Sequence, residues 1–469
     1  MPSISLVQST EVFSLERWDA EAYSPELRRL ERALAGSPSL DGLALVSHPA
    51  EIPREYIDEP DGAPFLLARN LRPILPDLTT LVRIPRPVAR QLPSNRLEKG
   101  DVLVTRTGAN HGVACVYLGE SGDFYTSGEG LIVRRRQDQE IDSAYLAVFL
   151  GCDHGVELCR KAAYGSGQPH IGPAYLRQVP VLRLGRRMEG KIGDLVREAW
   201  GSQERVKSIY AEAKEELLDR FGWERLAEQP PELSYVESYA NVAAARRCDA
   251  EHFQPQYKRL LKQLREAGAL PLGDFCPIPH RGIQPDFVKG GDVWVIDSKA
   301  VRAEGVRLSA DERTDRAFLE DSHNAKARIE PGDVLLNSTG RGTLGRATCY
   351  QLSGPAVADN HVSIIRPNPQ VCLPLYLSLF LNSPLGMEQS EMFQTGSSGQ
   401  IELYPSDIVK FLVYLPTQGN RKIDLAWQKR LADKLSTISD ATATGRANLE
   451  EAKTLVERHI ETRLGGSHE

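Results

Sequence analysis

The 469-residue sequence has no long apolar run and no paired cysteines. A membrane-spanning helix needs about twenty consecutive apolar residues, so no span is predicted. The N-terminus lacks the basic start and the apolar core of a signal peptide. The seven cysteines are scattered and form no CxxC pair. This pattern predicts free thiols in a reducing cytoplasm rather than disulfides or a zinc site.

Catalytic motifs are missing as well. The sequence contains no GxxxxGK[ST] phosphate loop, no HExxH or GxSxG motif, and no NPPY- or DPPY-type tetrapeptide. It therefore predicts a non-catalytic chain that holds no metal. The net charge of −6 argues against nonspecific coating of nucleic acid. A sequence-specific reader stays possible, because phosphate contacts depend on where arginine and lysine are placed.

What the sequence does contain is an internal repeat. Residues 17–34 (RWDAEAYSPELRRLERAL) recur at residues 247–264 (RCDAEHFQPQYKRLLKQL), with eight of the eighteen positions identical. Residues 97–108 (LEKGDVLVTRTG) recur at residues 329–340 (IEPGDVLLNSTG), and each Gly-Asp is predicted to form a turn before a strand. An apolar helix and a glycine-rich loop follow in the same order in each copy. This order predicts two copies of one mixed α/β module.

Each copy ends in a long polar helix with a narrow apolar seam at spacings of three and four. Such a seam predicts helix-on-helix packing, and the other long helix is the expected partner. The alternative is a helix pair in the core of one globule. Glycines at 193, 201 and 445 are expected to bend or fray the helices. The seam residues predicted to form the spacer and partner-binding helices are Leu195, Val206, Leu217, Leu431, Leu435, Ile438 and Leu449.

This organisation resembles the specificity (S) subunit of type I restriction–modification systems. The resemblance is carried by the paired segments above, by the helices AYLAVFLG and LYLSLFLN, and by the loops YGSGQPHIG and TGSSGQIEL. It implies an α/β (α+β) fold with two tandem target-recognition domains, a pair of long antiparallel helices as a coiled-coil spacer, and a pseudo-twofold internal repeat. The predicted ranges are 1–184 and 228–418 for the two recognition domains, and 185–227 and 419–469 for the two spacer helices.

The resemblance also implies the function: a non-catalytic subunit that reads a bipartite, asymmetric target in double-stranded DNA. It would direct adenine methylation or cleavage by partner subunits. The implied partners are two methyltransferase (modification) subunits that bind S-adenosylmethionine, and a restriction subunit that uses ATP and Mg²⁺. This chain itself would hold no cofactor. Two alternatives are a specificity subunit of a related phage-defence methylation system without a restriction subunit, and a duplicated small-molecule enzyme with a matched set of His, Asp, Glu or Cys in both copies.

Candidate DNA-contacting residues follow the strands of each module, where the scaffold is constant but the polar chemistry changes between copies. Arginine suits guanine and asparagine suits adenine in the major groove, and glycine-rich loops let the backbone approach phosphates. A basic segment of the first copy suits phosphates. It contains Arg83, Arg86, Arg90, Arg96, Lys99 and Arg106, and the corresponding part of the second copy contains Lys326, Arg328, Arg341 and Arg346. In the first copy the candidates are Arg83, Arg86, Arg90, Arg106, Thr107, Asn110, His111, Tyr164, Ser166 and Gln168. In the second copy they are Asn337, Ser338, Thr339, Arg341, Asn360, His361, Ser397, Ser398 and Gln400.

Overall fold

The computed structural model of the chain divides into two compact units. Unit 1 consists of the described residues within 1–203 and 443–469, and unit 2 of those within 204–442. The structure describes residues 23–52, 55–57, 61–108, 110–122, 124–161, 163–164, 169–224, 232, 234–277, 279–309, 311–396, 401–419 and 422–466.

Unit 1 contains two small sheets. In the first, the strand order is β1-β7-β4-β5 and every pair is antiparallel; in the second it is β3-β2-β6, with β2 and β6 parallel. The strands are β1 (Ala44–Ser47), β2 (Ala63–Leu66), β3 (Val82–Ile84), β4 (Val102–Thr105), β5 (Ala114–Val116), β6 (Tyr125–Thr126), β7 (Gly130–Arg135), β8 (Ala163–Tyr164) and β9 (His170–Ile171). The helices are α1 (Pro25–Ala33), α2 (Leu40–Leu43), α3 (Arg86–Ala89), α4 (Ser143–Gly151), α5 (Asp153–Lys161) and α6 (Pro173–Leu176).

The central helix of unit 1 is α4, which is apolar around its whole circumference because it is buried on all sides. The Asp142 carboxylate caps its N-terminus by accepting a hydrogen bond of 2.8 Å from the Ala144 amide. Tyr145 is buried on α4 and donates its hydroxyl proton to the Leu182 carbonyl, just before the first long helix. Helix α4 thus joins the sheet to that helix.

The first long helix, α7 (Arg186–Phe221), links the two units in the chain. Unit 2 has strands β10 (Leu270–Pro271), β11 (His280–Arg281), β12 (Val293–Ile296), β13 (Val301–Arg302), β14 (Gly305–Val306), β15 (Arg313–Thr314), β16 (Val334–Asn337), β17 (Ala347–Cys349), β18 (Ala356–Ala358), β19 (Val362–Ile365) and β20 (Leu412–Val413). Its helices are α8 (Tyr239–Ala245), α9 (Pro255–Glu266), α10 (Arg316–Glu320), α11 (Pro374–Asn382), α12 (Pro384–Phe393) and α13 (Pro405–Ile408). The second long helix is α14 (Leu425–Gly466).

Unit 2 repeats the strand order of unit 1. Its four-stranded sheet is β11-β19-β16-β17, and its three-stranded sheet is β15-β12-β18, again with an outer strand, β18, parallel to the central one. The Tyr376 hydroxyl on α11 donates to the Tyr414 carbonyl at 2.5 Å, and Tyr145 on α4 makes the equivalent bond in unit 1. The predicted repeat of a mixed α/β module is therefore present in the topology of the described residues.

Each unit contains half of both long helices. In unit 1, Ile192 and Val196 of α7 share a core with Val456 and Ile460 of α14. Glu198 of α7 accepts a hydrogen bond of 3.0 Å from Asn448. In that unit the two helix halves run antiparallel, since Gly445 lies against Ser202, further along α7.

The helix halves in unit 2 also run antiparallel. Arg430 of α14 pairs with Glu216 of α7 at 2.5 Å, and Lys434 pairs with Glu212 at 3.6 Å. Leu217 and Leu431 are fully buried beside these pairs. Among the helices in the described part of the chain, none combines the length and the apolarity that a membrane crossing requires.

The glycines in the long helices do not interrupt them. Both helices continue through Gly193, Gly201 and Gly445, so the predicted fraying at these positions is wrong. A Cβ atom on Gly193 would lie 2.5 Å from the Asp142 carboxylate, and one on Gly445 would lie 3.2 Å from the Ser202 Cβ atom. Two of the glycines therefore permit close packing, whereas Gly201 has open space around it.

Candidate nucleic-acid interface

An ion pair between a buried aspartate and a partly exposed arginine fixes the turn that precedes the central strand of unit 1. Asp101 follows Gly100, whose φ of +94° places it in the left-handed region that favours glycine. The Asp101 carboxylate is only 1% exposed and accepts hydrogen bonds of 2.8 and 2.7 Å from the Nε and Nη2 atoms of Arg134. It also accepts a bond of 2.7 Å from the Glu98 amide. The predicted turn is confirmed.

Unit 2 contains the same ion pair at the same place. Gly332 has a φ of +96°, and the buried Asp333 carboxylate accepts bonds of 2.7 and 2.9 Å from Arg366. The Glu330 amide donates to Asp333 at 2.7 Å, as the amide of Glu98 does to Asp101. The same Asp-Arg pair therefore stabilises the sheet in both copies. The polar side chains that differ between the copies lie in the loops after the strands.

The loop after β4 presents polar side chains on the surface of unit 1. It closes where the Gly112 amide donates to the Thr105 carbonyl at 2.8 Å. Asn110 is exposed, and the His111 ring is 2.9 Å from the Gly108 carbonyl. Arg106 and Thr107 are half-buried, and Arg106 is 3.3 Å from the Glu51 carboxylate. All four predicted residues of this loop thus lie together near its surface.

The corresponding loop after β16 in unit 2 is built differently. Asn337 and Ser338 are fully buried: Asn337 donates to the Ser298 carbonyl at 2.9 Å, and the Ser338 hydroxyl is 2.5 Å from that of Ser363. The prediction that these two side chains contact DNA is therefore wrong, because neither reaches the surface. Arg341 is exposed, between Gly340 and Gly342, both of which have positive φ.

The end of β16 also has a polar contact with the next loop. The Thr339 hydroxyl is 2.7 Å from Nδ1 of His361, so this loop touches the one that follows β18. Asn360 and His361 are exposed there. The surface of unit 2 thus carries the predicted residues Thr339, Arg341, Asn360 and His361 on two loops that contact each other.

A buried acid lies beneath this surface. Asp359 is 3% exposed, and burial raises its pKa to about 6, while a hydrogen bond of 2.9 Å from the His361 amide acts in the opposite direction. Asp297 raises the pKa of Asp359 further, and Lys299 lowers it. Burial, Asp297 and Asp359 also raise the pKa of Glu312. Unit 1 has an uncharged serine, Ser127, at the position of Asp359.

The last residue of the central strand carries an unsatisfied side-chain oxygen in both units. Thr105 Oγ1 and Asn337 Oδ1 are buried and have no hydrogen-bond partner among the described residues. Both end equivalent strands, β4 and β16, below the loops described above. Because buried polar atoms are normally paired, these oxygens mark a place where both copies keep unused hydrogen-bonding capacity.

The third pair of predicted loops is only partly described. Ser166, Gln168, Ser397, Ser398 and Gln400 lie outside the described residues, as does the side chain of Tyr164. The described residues next to these loops carry different charges in the two units. Unit 2 has Arg281 3.4 Å from Glu402, and the guanidinium is 5.5 Å from the centre of the Tyr404 ring. The β-bridge that places Glu402 beside Thr339 has a counterpart in unit 1 that places His170 beside Thr107.

Sequence reasoning missed the counterparts of Arg83 and Arg86 in the second copy. Arg83 Nη1 donates to the Gly62 carbonyl at 2.7 Å, and Arg313 Nη1 donates to the Gly291 carbonyl at 3.0 Å. Both arginines lie on equivalent strands, β3 and β15, so Arg313 is the counterpart of Arg83. Three residues further on, Arg86 and Arg316 are counterparts in the same way. The spacing Arg-x-x-Arg, at 83–86 and 313–316, was the signal in the sequence.

The apolar seam of the long helices is part of the cores of the two units. Leu217, Leu431, Leu435 and Ile438 are buried in unit 2, together with Val206. Leu195 and Leu449 pack against the core of unit 1 as partly buried residues. The five buried side chains pack inside unit 2, and the prediction that they belong to the spacer and partner-binding helices stays a prediction. Their role within the described residues is to hold helix to helix and helix to sheet.

Three cysteines of unit 1 have buried thiols. Burial raises the pKa of the Cys115, Cys152 and Cys159 thiols to about 12, so they are not nucleophiles near neutral pH. The described ranges contain no group of three or more His, Cys, Asp or Glu side chains arranged to hold a metal ion. The matched acids Asp101 and Asp333 each form an ion pair, with Arg134 and Arg366.

The chain is similar to solved structures of type I restriction–modification proteins. The S subunit from M. genitalium has 11% sequence identity and a TM-score of 0.39, over 91% of this chain and 95% of that one. The HsdS subunit from Thermoanaerobacter tengcongensis has 14% identity and a TM-score of 0.27, over 90% and 95%. A structure describing complex assembly and conformational transition of the type I R-M system has 15% identity and a TM-score of 0.27, over 90% and 96%. No family model and no curated protein matches the chain.

Proposed function

We propose that the chain is a sequence-specific DNA-recognition subunit that reads a split, asymmetric target in double-stranded DNA. One observation carries this proposal: each unit repeats the same strand order and the same ion pair between a buried aspartate and an arginine, while the polar loops at the ends of the equivalent strands differ. A constant scaffold with variable loop chemistry suits two readers of two different short sequences. Two half-sites give more discrimination against wrong DNA sequences than one, because each mismatched base pair costs about 1–3 kcal/mol and these costs roughly add.

The chemistry on DNA would belong to partner subunits. The proposed partners are modification subunits, two in number, that bind S-adenosylmethionine and methylate adenine, and a restriction subunit that uses ATP and Mg²⁺. Their docking surface would be the charged outer faces of α7 and α14, because the apolar seam is buried. The complex would act in the cytoplasm. A related phage-defence methylation system without a restriction subunit is the second candidate.

The first test is a methylome. Deleting the gene for this chain should remove adenine methylation at one split motif and leave other motifs unchanged, because the partner methyltransferase would lose its source of sequence specificity. Long-read sequencing of the deletion strain and the complemented strain measures this directly. Identical methylation in both strains would refute the proposal. Cleavage of unmodified DNA that carries the mapped motif then separates the two candidate settings.

Single substitutions should assign each half-site to one unit. We expect Arg341→Ala to relax or abolish recognition of one half-site, and Asn110→Ala that of the other, since both side chains are exposed on their loops. A good side-chain contact to a base contributes about 1–3 kcal/mol of discrimination. The readout is the methylated motif in cells that carry each variant. If both variants degrade the same half-site, or both halves equally, the assignment of one reader to each unit is wrong.

A further inference from the structure

The two units differ in charge where their folds correspond. Residues 61–136 contain eleven Arg and Lys but seven Asp and Glu, a net charge of +4. The corresponding residues 291–368 contain ten Arg and Lys and eleven Asp and Glu, a net charge of −1. Four of the five charges come from added acids and one from a lost cation, and Arg83 and Arg86 both have counterparts in unit 2. The corresponding ranges of the two units therefore share a strand order but differ in net charge by 5, from +4 to −1.

The arginine counterparts show how the charge is changed. Arg86 of unit 1 donates through Nε to the backbone carbonyl of Asp61 at 2.5 Å, so a neutral acceptor positions it. Arg316 of unit 2 donates through Nε to the Asp292 carboxylate at 3.0 Å, and that acid compensates its charge. Arg86 and Arg90 are exposed, and neither forms a salt bridge with any described residue. The two exposed cations on helix α3 and its end are thus available to an anion outside the chain.

Unit 2 places further negative charge beneath its loops. Asp297, Glu312 and Asp359 interact with one another, and the lysine that acts on them is Lys299, whose Nζ atom is 3.9 Å from the Asp297 carboxylate. A phosphate that approached this side of unit 2 would meet acids at short range, where Coulomb repulsion is least screened. The exposed cations of unit 2, Lys326, Arg328 and Arg341, therefore lie in a range whose net charge is −1.

We infer that the two units divide DNA binding unequally: unit 1 supplies most of the ionic attraction to the phosphates, and unit 2 recognises its half-site with little net phosphate neutralisation. This inference rests on the proposed function. Arg86 and Arg90 of unit 1 are the phosphate-contacting residues, whereas Arg316 is paired with Asp292 of its own unit. Each phosphate neutralised by a cation lowers the logarithm of affinity by about 0.9 per unit of log salt concentration.

The test compares counterparts. The complex of this chain with its methyltransferase partner is titrated with a duplex that carries the mapped motif, at salt concentrations from about 50 to 200 mM. Arg86→Gln should reduce the slope of log affinity against log salt by about 1, which is roughly a 3.5-fold smaller loss of affinity over this range. Arg316→Gln should leave the slope unchanged. Arg86→Lys, which keeps the charge, should restore the wild-type slope.

Three outcomes are separable. If Arg316→Gln reduces the slope as much as Arg86→Gln, the units share the phosphates equally and the inference is wrong. If Arg86→Gln lowers affinity at every salt concentration without changing the slope, and Arg86→Lys does not rescue it, Arg86 has only a structural role and the inference is also wrong. If the wild-type complex shows no preference for any motif, the proposed function fails and the inference fails with it.

Discussion

Replacing Arg134 with methionine is expected to destabilise unit 1 by about 1–3 kcal/mol. The substitution keeps the apolar stem but removes both guanidinium bonds to the Asp101 carboxylate, which is 1% exposed and would keep only the bond from the Glu98 amide. A buried carboxylate that loses its charged partner stays desolvated without compensation. The free energy of unfolding, measured by urea denaturation and resolved for each unit by hydrogen exchange, should fall in unit 1 alone.

The neighbouring residue provides the control. Arg135 is also an arginine at the end of β7, but its side chain donates at 2.8 Å to the Gln139 carbonyl on the surface rather than to a buried acid, so Arg135→Met should cost less than about 0.5 kcal/mol. Arg366→Met is the reciprocal variant, and it should weaken unit 2 while leaving unit 1 unchanged, because Arg366 holds Asp333 in the same way. Equal effects of Arg134→Met and Arg135→Met would contradict the structural role of the ion pair.

The same ion pair shows how far the sequence could be interpreted. The repeated Gly-Asp predicted a turn in both copies, because the local requirement for a left-handed glycine is visible in the sequence. The arginine that pairs with each aspartate could not be predicted from the sequence. Arg134, for example, lies 33 residues from Asp101 and within a run of three arginines. Nothing local distinguishes Arg134 from its neighbours, and only the pairing of β4 with β7 selects it.

The reading loops were predicted less well than the scaffold. Asn337 ends an apolar strand shortly before a glycine, a pattern typical of an exposed loop residue, yet the Ser298 carbonyl from the β12–β13 connection covers it. Burial of this kind depends on a segment 39 residues away, so strand periodicity cannot show it. The basic counterparts Arg313 and Arg316 were missed for a different reason. Acids at 311, 312 and 315 lie next to these arginines in the sequence, so this segment has no net positive charge.

Asp359→Asn is expected to stabilise unit 2 by roughly 1–3 kcal/mol at about pH 7.5. Burial raises the pKa of Asp359 to about 6 in the folded chain, so above that pH the fold must hold an ionised carboxylate that prefers water. Asparagine removes the charge and keeps the Oδ1 acceptor for the His361 amide, which lies at 2.9 Å. Thermal and urea unfolding of the two proteins between about pH 4 and 8 measure the difference.

The sign of the pH dependence makes this prediction specific. Because the folded pKa exceeds the ordinary value of 3.8, the wild-type protein binds more protons when folded, and its stability should rise as the pH falls from about 7 through 6 towards 4. The advantage of Asp359→Asn should therefore shrink over that interval and be small near about pH 4, where the aspartate is largely protonated in the folded state and close to half-protonated in the unfolded one. The nearby charged and titratable groups are Asp297, Lys299, Glu312 and His361. A stabilising pairing of Asp359 with Lys299 would reverse the sign and make the asparagine variant less stable at about pH 7.5. Unit 1 should show no change, since Ser127 occupies the corresponding position there.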